Sequence, residues 1–380
     1  MKRVGIVLTT INIPFLVQDF VANVERFGHD NVEILIIGDK KSPDAEIVEL
    51  LNNLPGGRAE VRYLGIDAQL DWAAGTPALE RFLDIVPYNS DNRRNIGYLI
   101  ALQDGADVII SIDDDNYPSM SDFIGDHWLV GDEARLPGIS STSGWFNACS
   151  LLENDRNAEI YPRGFPCSKR FQDSIITVNE LSGRVAANLG LWTGAPDVDA
   201  ITQIALPARV TSFCGEHEKI LVDRTTCLPI NSQNTAVARD AMAAYYFLPM
   251  GASVHDMLLD RYGDIWQGYF LKKAIDAKGE LVAVGSPLTD HRRNQHDPLK
   301  DLKSEFWGLL VTDQLVDWLA TVEIYETQNY SAVYLDLSSQ LDAAIPQIFP
   351  DADIQRHLQY ITKCMASWIE AYEAVFPQSW

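Results

Sequence analysis

The chain has 380 residues, 47% of them hydrophobic, and a formal net charge of −23. That length buries a large core and fits one big domain with an appendage, or two domains. The acidic balance argues against sequence-independent binding to nucleic acid or to an anionic membrane face, since either needs a basic surface to displace counterions; a small basic pocket inside an acidic shell remains compatible with it.

Lys2 and Arg3 followed by Val4 to Leu8 imitate a short secretory leader, but Thr9, Thr10 and Asn12 interrupt the apolar run, and it reads as the first strand of a cytoplasmic protein. In chain order the pattern then gives a strand over residues 3–9, a helix over 15–27, a strand over Val32–Ile37, a helix over 44–51, a strand over 61–64, a helix over 89–103 and a strand over Val108–Ile112. This βαβ succession predicts an α/β domain with a mostly parallel sheet and flanking helices. Residues 140–300 are richer in loops and aromatics, with Pro and Gly clustered at 161–166 and 194–196. Helical periodicity returns over 306–322, 330–345 and 357–374, and predicts a C-terminal helical extension that could serve as a partner face or hold a homo-oligomer together. The expected division is 1–310 for a catalytic domain and 311–380 for that extension. No stretch approaches the ~20 apolar residues of a membrane span. The five cysteines, Cys149, Cys167, Cys214, Cys227 and Cys364, are odd in number and lack CxxC spacing, so neither a zinc site nor a disulfide framework is expected. The fingerprints GxGxxG and GxxxxGK[ST] are absent, which argues against a flavin or nicotinamide site and against a P-loop.

At the exit of the strand Val108–Ile112 stand three successive aspartates, Asp113, Asp114 and Asp115. Ligands of open α/β sheets bind outside the carboxyl ends of the strands, so the cluster lies where a ligand is expected. Locally it reads either as a solvated turn or as hard oxygen ligands for Mg²⁺ or Mn²⁺, which would offset the mutual repulsion of the carboxylates and neutralise a substrate diphosphate. A strand followed by an Asp-rich loop in a domain without a P-loop suggests the GT-A fold of nucleotide-diphospho-sugar proteins.

Five further stretches stand in a recognisable order: "NIGY" at 95–98 leading to Ile112-Asp113-Asp114-Asp115, "RGFPCSKR" at 163–170, "GLWTGAPDVDAITQ" at 190–203, "RYGDIWQGY" at 261–269 and "SWIEAYE" at 367–373. With them the chain resembles the reversibly glycosylated polypeptide family, the UDP-arabinopyranose mutases, over most of its length. Gly263 stands where the family motif has the first of two Asp, which leaves Asp264, and Cys167 stands where it has Phe. These departures bear on the sugar and the base rather than on the fold or the reaction class.

The resemblance implies a metal-dependent, flavin-independent mutase acting on a nucleotide-diphospho-sugar, UDP- or GDP-linked, with a GT-A glycosyltransferase as the alternative and a non-catalytic subunit as a third reading. Cleaving the bond between an anomeric carbon and a diphosphate needs electrostatic stabilisation of the leaving anion. A metal on Asp113 and Asp115, completed by His291, would supply part of it, and fixed arginines the rest, because the guanidinium fork suits phosphate. Arg163 and Arg170 are the first choices for that role. The resemblance associates Arg163 with reversible glycosylation, but a guanidinium is a poor nucleophile, and diphosphate holding is the preferred role. Asp264 is expected either to face the sugar or to complement a helix N-terminus. Arg292 and Arg293 form the small basic pocket, and Arg94 is placed to reach the diphosphate. Asp197 and Asp199 either bind sugar hydroxyls or order a loop; Trp192 and Trp266 stack on the ligand or belong to the core. By analogy with the fold, Thr9, Asn12 and Asp39 contact the nucleoside, while Asp114 faces the ribose, Arg94 or solvent.

Overall fold

In the computed structural model, which describes residues 2–294 and 296–377, the first four strands are β1 (Val4–Thr9), β2 (Val32–Ile37), β3 (Ala59–Leu64) and β4 (Val108–Ile112). They are parallel, in the order β3-β2-β1-β4, with Val4 opposite both Val32 and Val108. Every residue of β1, β2 and β4 is buried, which is why these strands read as unbroken apolar runs rather than as alternation. The helix Leu16–Phe27 turns Leu16, Val17, Phe20, Val21 and Val24 to the sheet and stops at Gly28. The helix Arg94–Gln103 lies closer still: a Cβ on Gly97 would meet Val7 Cγ1 at 2.4 Å and Ile37 Cγ1 at 2.8 Å. That contact explains the glycine in "NIGY", and it fixes Arg94 at the strand ends.

Beyond Ile112 the sheet becomes mixed. β4 pairs antiparallel with Asn234–Ala238, which pairs antiparallel with the 19-residue strand Ile176–Gly194. That long strand runs antiparallel to Glu133–Ser141 and parallel to Leu281–His291. A short strand, Asn116–Pro118, closes on the last of these with Asn116 opposite His291. Among the described residues the sheet has 12 strands. The architecture is α/β, its wholly parallel part being β1–β4 and its second part mixed, mostly antiparallel but with Ile176–Gly194 and Leu281–His291 parallel.

The expected boundary at residue 310 falls inside the helix Pro298–Thr321. This helix starts eight residues before the periodicity suggested, at a Pro in its first turn behind Asp297, whose carboxylate accepts from Leu299 N and Lys300 N. The two helices that follow, Tyr330–Ile348 and Ala352–Val375, are part of the core. Trp368 is fully buried, stacks on Tyr246 with ring centroids 5.4 Å apart and donates to Ala243 O at 2.9 Å. One continuous apolar cluster includes β1 and Tyr372 alike. No described helix is long and apolar enough to cross a membrane.

Candidate functional site

A cleft of about 700 Å³ opens at the carboxyl ends of β1, β2 and β4. Of the residues singled out in the sequence it gathers Thr9, Asn12, Asp39, Arg94, Asp113, Asp114, Asp115, Arg163, Asp197, Asp264, His291 and Arg293. Arg170, Asp199, Trp192, Trp266 and Arg292 lie outside it, each for a visible reason. Arg170 donates to Asp199 Oδ2 at 2.7 Å and to Phe165 O, while Asp199 caps the helix Ala200–Ala205 through Thr202 N. Thus both order a loop. Trp266 is fully buried and donates to Thr312 Oγ1; Trp192 is core as well, but its indole N–H reaches Gln233 Oε1, and Gln233 does line the cleft. Arg292 pairs with Asp290 and covers the Tyr117 ring at 4.0 Å on the outside.

The three aspartates have different neighbours. Asp113 Oδ1 accepts from Arg94 Nη1 at 2.7 Å, and Arg94 also donates to Ser232 and, through Nη2, to Thr9 Oγ1. Burial raises Asp113 to about 7 despite the arginine beside it. Asp114 accepts from Thr10 Oγ1 at 2.7 Å and Asn12 Nδ2 at 3.3 Å, so it ties the cluster to the exit of β1. Asp115 faces His291, with Oδ2 3.4 Å from Nε2. Burial would raise Asp115, but the hydrogen bond and charge of His291, with Asn294 N, outweigh it and hold it below the usual range.

His291 comes to this place through strand register, opposite Asn116 on one side and Gly194 on the other. Its Nδ1 lies 2.6 Å from Ala195 O; a carbonyl only accepts, so Nδ1 carries the proton and Nε2 turns toward Asp115. An imidazole oriented by a backbone carbonyl is the usual support of a metal ligand. Gly194, at φ 84, makes the turn possible, since a Cβ there would come within 2.5 Å of His291 O. Asp115 and His291 therefore fit a divalent cation that keeps its other positions for ligand oxygens. Asp113 does not complete a closed trio with them. Among the described residues, three ligand atoms lie within 4.8 Å of one another only in His255, Asp351 and Asp353, at the surface.

Arg163 differs most from its expected role. Nε donates to Asp197 Oδ1 at 2.9 Å, Nη2 to Asp264 Oδ2 at 2.8 Å and Asp197 Oδ2 at 3.4 Å, and Nη1 to Asp264 Oδ1 at 3.1 Å and to Arg261 O. A guanidinium has five N–H donors, and all five are taken by the protein. Burial would raise Asp197, but the Arg163 charge draws it down to about 2. Arg163 is thus a clasp holding two carboxylates at the cleft wall, not a free cation. Sequence reasoning also passed over Arg93, Arg261 and Asn294, which line the cleft. Arg261 stood in the quoted "RYGDIWQGY" stretch, and Arg93 directly precedes Arg94.

Fold and site together define an α/β protein with an acid-rich, arginine-lined cleft where such sheets take their ligands. The chain belongs to the reversibly glycosylated polypeptide family, whose model matches residues 78–377. It is similar to UDP-arabinopyranose mutase 1 of Oryza sativa subsp. japonica, 26% identical over 292 residues that cover 75% of this chain and 72% of that one. It is also similar to the probable UDP-arabinopyranose mutase 1 of Solanum tuberosum, 27% identical over 286 residues covering 74% and 70%. Among solved structures, glucosyl-3-phosphoglycerate synthase from Mycobacterium tuberculosis aligns over 85% of this chain and 81% of its own with a TM-score of 0.40 and 15% identity, too distant a likeness to assign any residue.

Proposed function

We propose that the protein is a metal-dependent mutase that interconverts the pyranose and furanose forms of a nucleotide-diphospho-sugar, UDP-linked as in the names of its relatives. The observation that carries this reading is the charge inventory of one cleft: among the described residues eight aspartates and five arginines line it, with a fixed carboxylate pair, Asp197 and Asp264, in the same space as the Asp115–His291 pair. A diphosphate entering such a site raises the negative charge further, and Asp115 and His291 would hold a divalent cation that would offset it as a Lewis acid.

The remaining work falls to side chains. Thr9, Asn12 and Asp39 lie at the exits of β1 and β2, where a nucleoside would rest. Asp197, kept anionic, holds a sugar hydroxyl by accepting its hydrogen bond. Asp264 takes the proton of the hydroxyl that closes the new ring, and returns it to the oxygen released from the old one. The diphosphate leaves the anomeric carbon and comes back to it, so no electrons are gained or lost and no flavin is called for. Arg163 keeps both carboxylates in place throughout.

The test is incubation with Mn²⁺ and a panel of UDP- and GDP-pentoses and hexoses, without acceptor, followed by anion-exchange chromatography. A new nucleotide sugar of unchanged mass is the expected product. Nucleotide released only when an acceptor is added would make the protein a transferase, and tight nucleotide binding without any turnover would make it a binding subunit.

A further inference from the structure

Five arginines line the cleft among the described residues, and three of them are committed elsewhere. Arg163 is saturated by Asp197, Asp264 and Arg261 O; Arg94 holds Asp113; Arg93 is taken by Gln69 and stacks on Tyr88. The other two, Arg261 and Arg293, share one carboxylate, Asp301, and Arg261 has Glu305 as a second partner. Arg261 Nη1 lies 3.5 Å from Asp301 Oδ1 and Arg293 Nη2 lies 3.5 Å from Asp301 Oδ2. Both distances exceed the 2.7–2.9 Å of a charge-assisted hydrogen bond, and Asp301 Oδ2, although buried, has only the loose approaches of Arg293 and, at 3.3 Å, of His296 Nδ1. Two like charges are thus held together by an acid that does not satisfy their Nη donors, the Nε of Arg261 being taken by Glu305.

Glu305, one turn further along the same helix, fixes the arrangement. It is fully buried, accepts from Arg261 Nε at 2.9 Å and from Ala200 N at 2.7 Å. Arg261 is also held at φ 65, a region a non-glycine residue seldom occupies, so the surrounding contacts dictate where its guanidinium points. Arg293 directly precedes Asn294, whose N–H bonds Asp115 at 3.2 Å. The arginine pair therefore adjoins the carboxylate assigned to the metal.

We propose that Arg261 and Arg293, clasped by Asp301, are the seat of the diphosphate, and that Asp301 and Glu305 are positioning residues for it. The identity of the ligand rests on the mutase reading above; the seat itself rests on the geometry. It replaces Arg163 and Arg170 as the cations that receive the leaving group.

Calorimetric titration of the full chain with UDP, GDP and uridine, each with and without Mn²⁺, tests it. The wild type is expected to bind UDP at least tenfold more tightly than uridine. Arg261→Ala should lower UDP affinity tenfold or more and leave uridine within twofold, collapsing the ratio. Asp301→Asn should reduce the same ratio at least threefold, and Asp301→Glu should recover part of it. General damage to the fold would instead lower both ligands together, and that parallel loss would overturn the proposal. So would a UDP affinity within twofold of wild type in Arg261→Ala. Arg293→Ala and Arg261→Lys, read in the same way, decide the matter if Arg261→Ala does not fold. A wild type that binds neither UDP nor GDP would remove the mutase reading itself, whereas binding that ignores the variants would remove the seat alone.

Discussion

Arg163 illustrates how a residue type can be right for one task and used for another. Guanidinium geometry suits phosphate, yet here its fork meets Asp197 and Asp264 in a buried site. Taking one partner from a buried pair leaves an uncompensated charge and typically costs about 3–5 kcal/mol. Arg163→Ala is therefore expected to destabilise the fold by that order, and to reduce turnover by more than about 100-fold, on the scale set by losing fixed electrostatic groups. UDP affinity should stay within a few-fold of wild type, because the donors of Arg163 do not face the anion. Denaturant unfolding and calorimetry measured on the same variant separate the two effects. Near-normal turnover would remove the Asp197–Asp264 clasp from the mechanism.

At the level of elements, β1, β2 and β4 were legible because strands covered on both faces leave a simple signature, a short β-branched run. The Asp cluster followed from them, since a strand end in a parallel sheet is a defined place. The strand Ile176–Gly194 was not legible: its first half is exposed and its second half buried, so no single period runs through it. Without that strand only the family resemblance placed His291 with Asp115, and nothing in the local pattern showed how the chain brings them together or that Gly194 is needed between them. The C-terminal helices were legible as helices, but periodicity does not say what a helix packs against. Trp368 supplies that information. Trp368→Ala is expected to cost about 3–5 kcal/mol, as for other large-to-small changes in a core, and chemical denaturation should show one transition shifted as a whole. A loss confined to a separate, weaker transition would restore the helices as an independent extension.

For the molecule as a whole, two buried histidines steepen the loss of stability in acid, against the raised carboxyl of Asp113, which acts in the opposite sense. His127 lies between Asn188 and Asn234, with Asn188 Nδ2 donating to Nδ1 at 2.8 Å and Nε2 3.1 Å from Asn234 Oδ1, an arrangement that suits the neutral ring. Burial, then the Lys219 charge, lowers it to about 3, and burial lowers His357 to about 4. In the unfolded chain both take up a proton near the ordinary ~6.5. A depressed histidine therefore adds nothing to the pH dependence above ~6.5, and below it the unfolded state binds more protons, so stability falls as pH falls. Each group contributes a slope of up to about 1.4 kcal/mol per pH unit, until its folded value is reached. Thermal melts from pH 7.5 to 5 should show a shallower decline for His357→Leu than for the wild type. Equal slopes would mean that His357 is protonated within the fold.

The pairing of Asn116 with His291 and the contact of the helix Pro298–Thr321 with Arg261 at the cleft also have a temporal meaning. A chain is made from its N-terminus at about 5–20 residues per second, so Asp115 leaves the ribosome roughly 10–40 s before Glu305 on that scale. Throughout that interval the acidic loop has Arg94 beside it but neither His291, Arg293 nor Asp301. A ligand can engage the complete cleft only after this wait. The stabilisation that a bound ligand brings, about 2.7 kcal/mol at 100 times its Kd, thus protects the finished protein and does nothing to guide its synthesis.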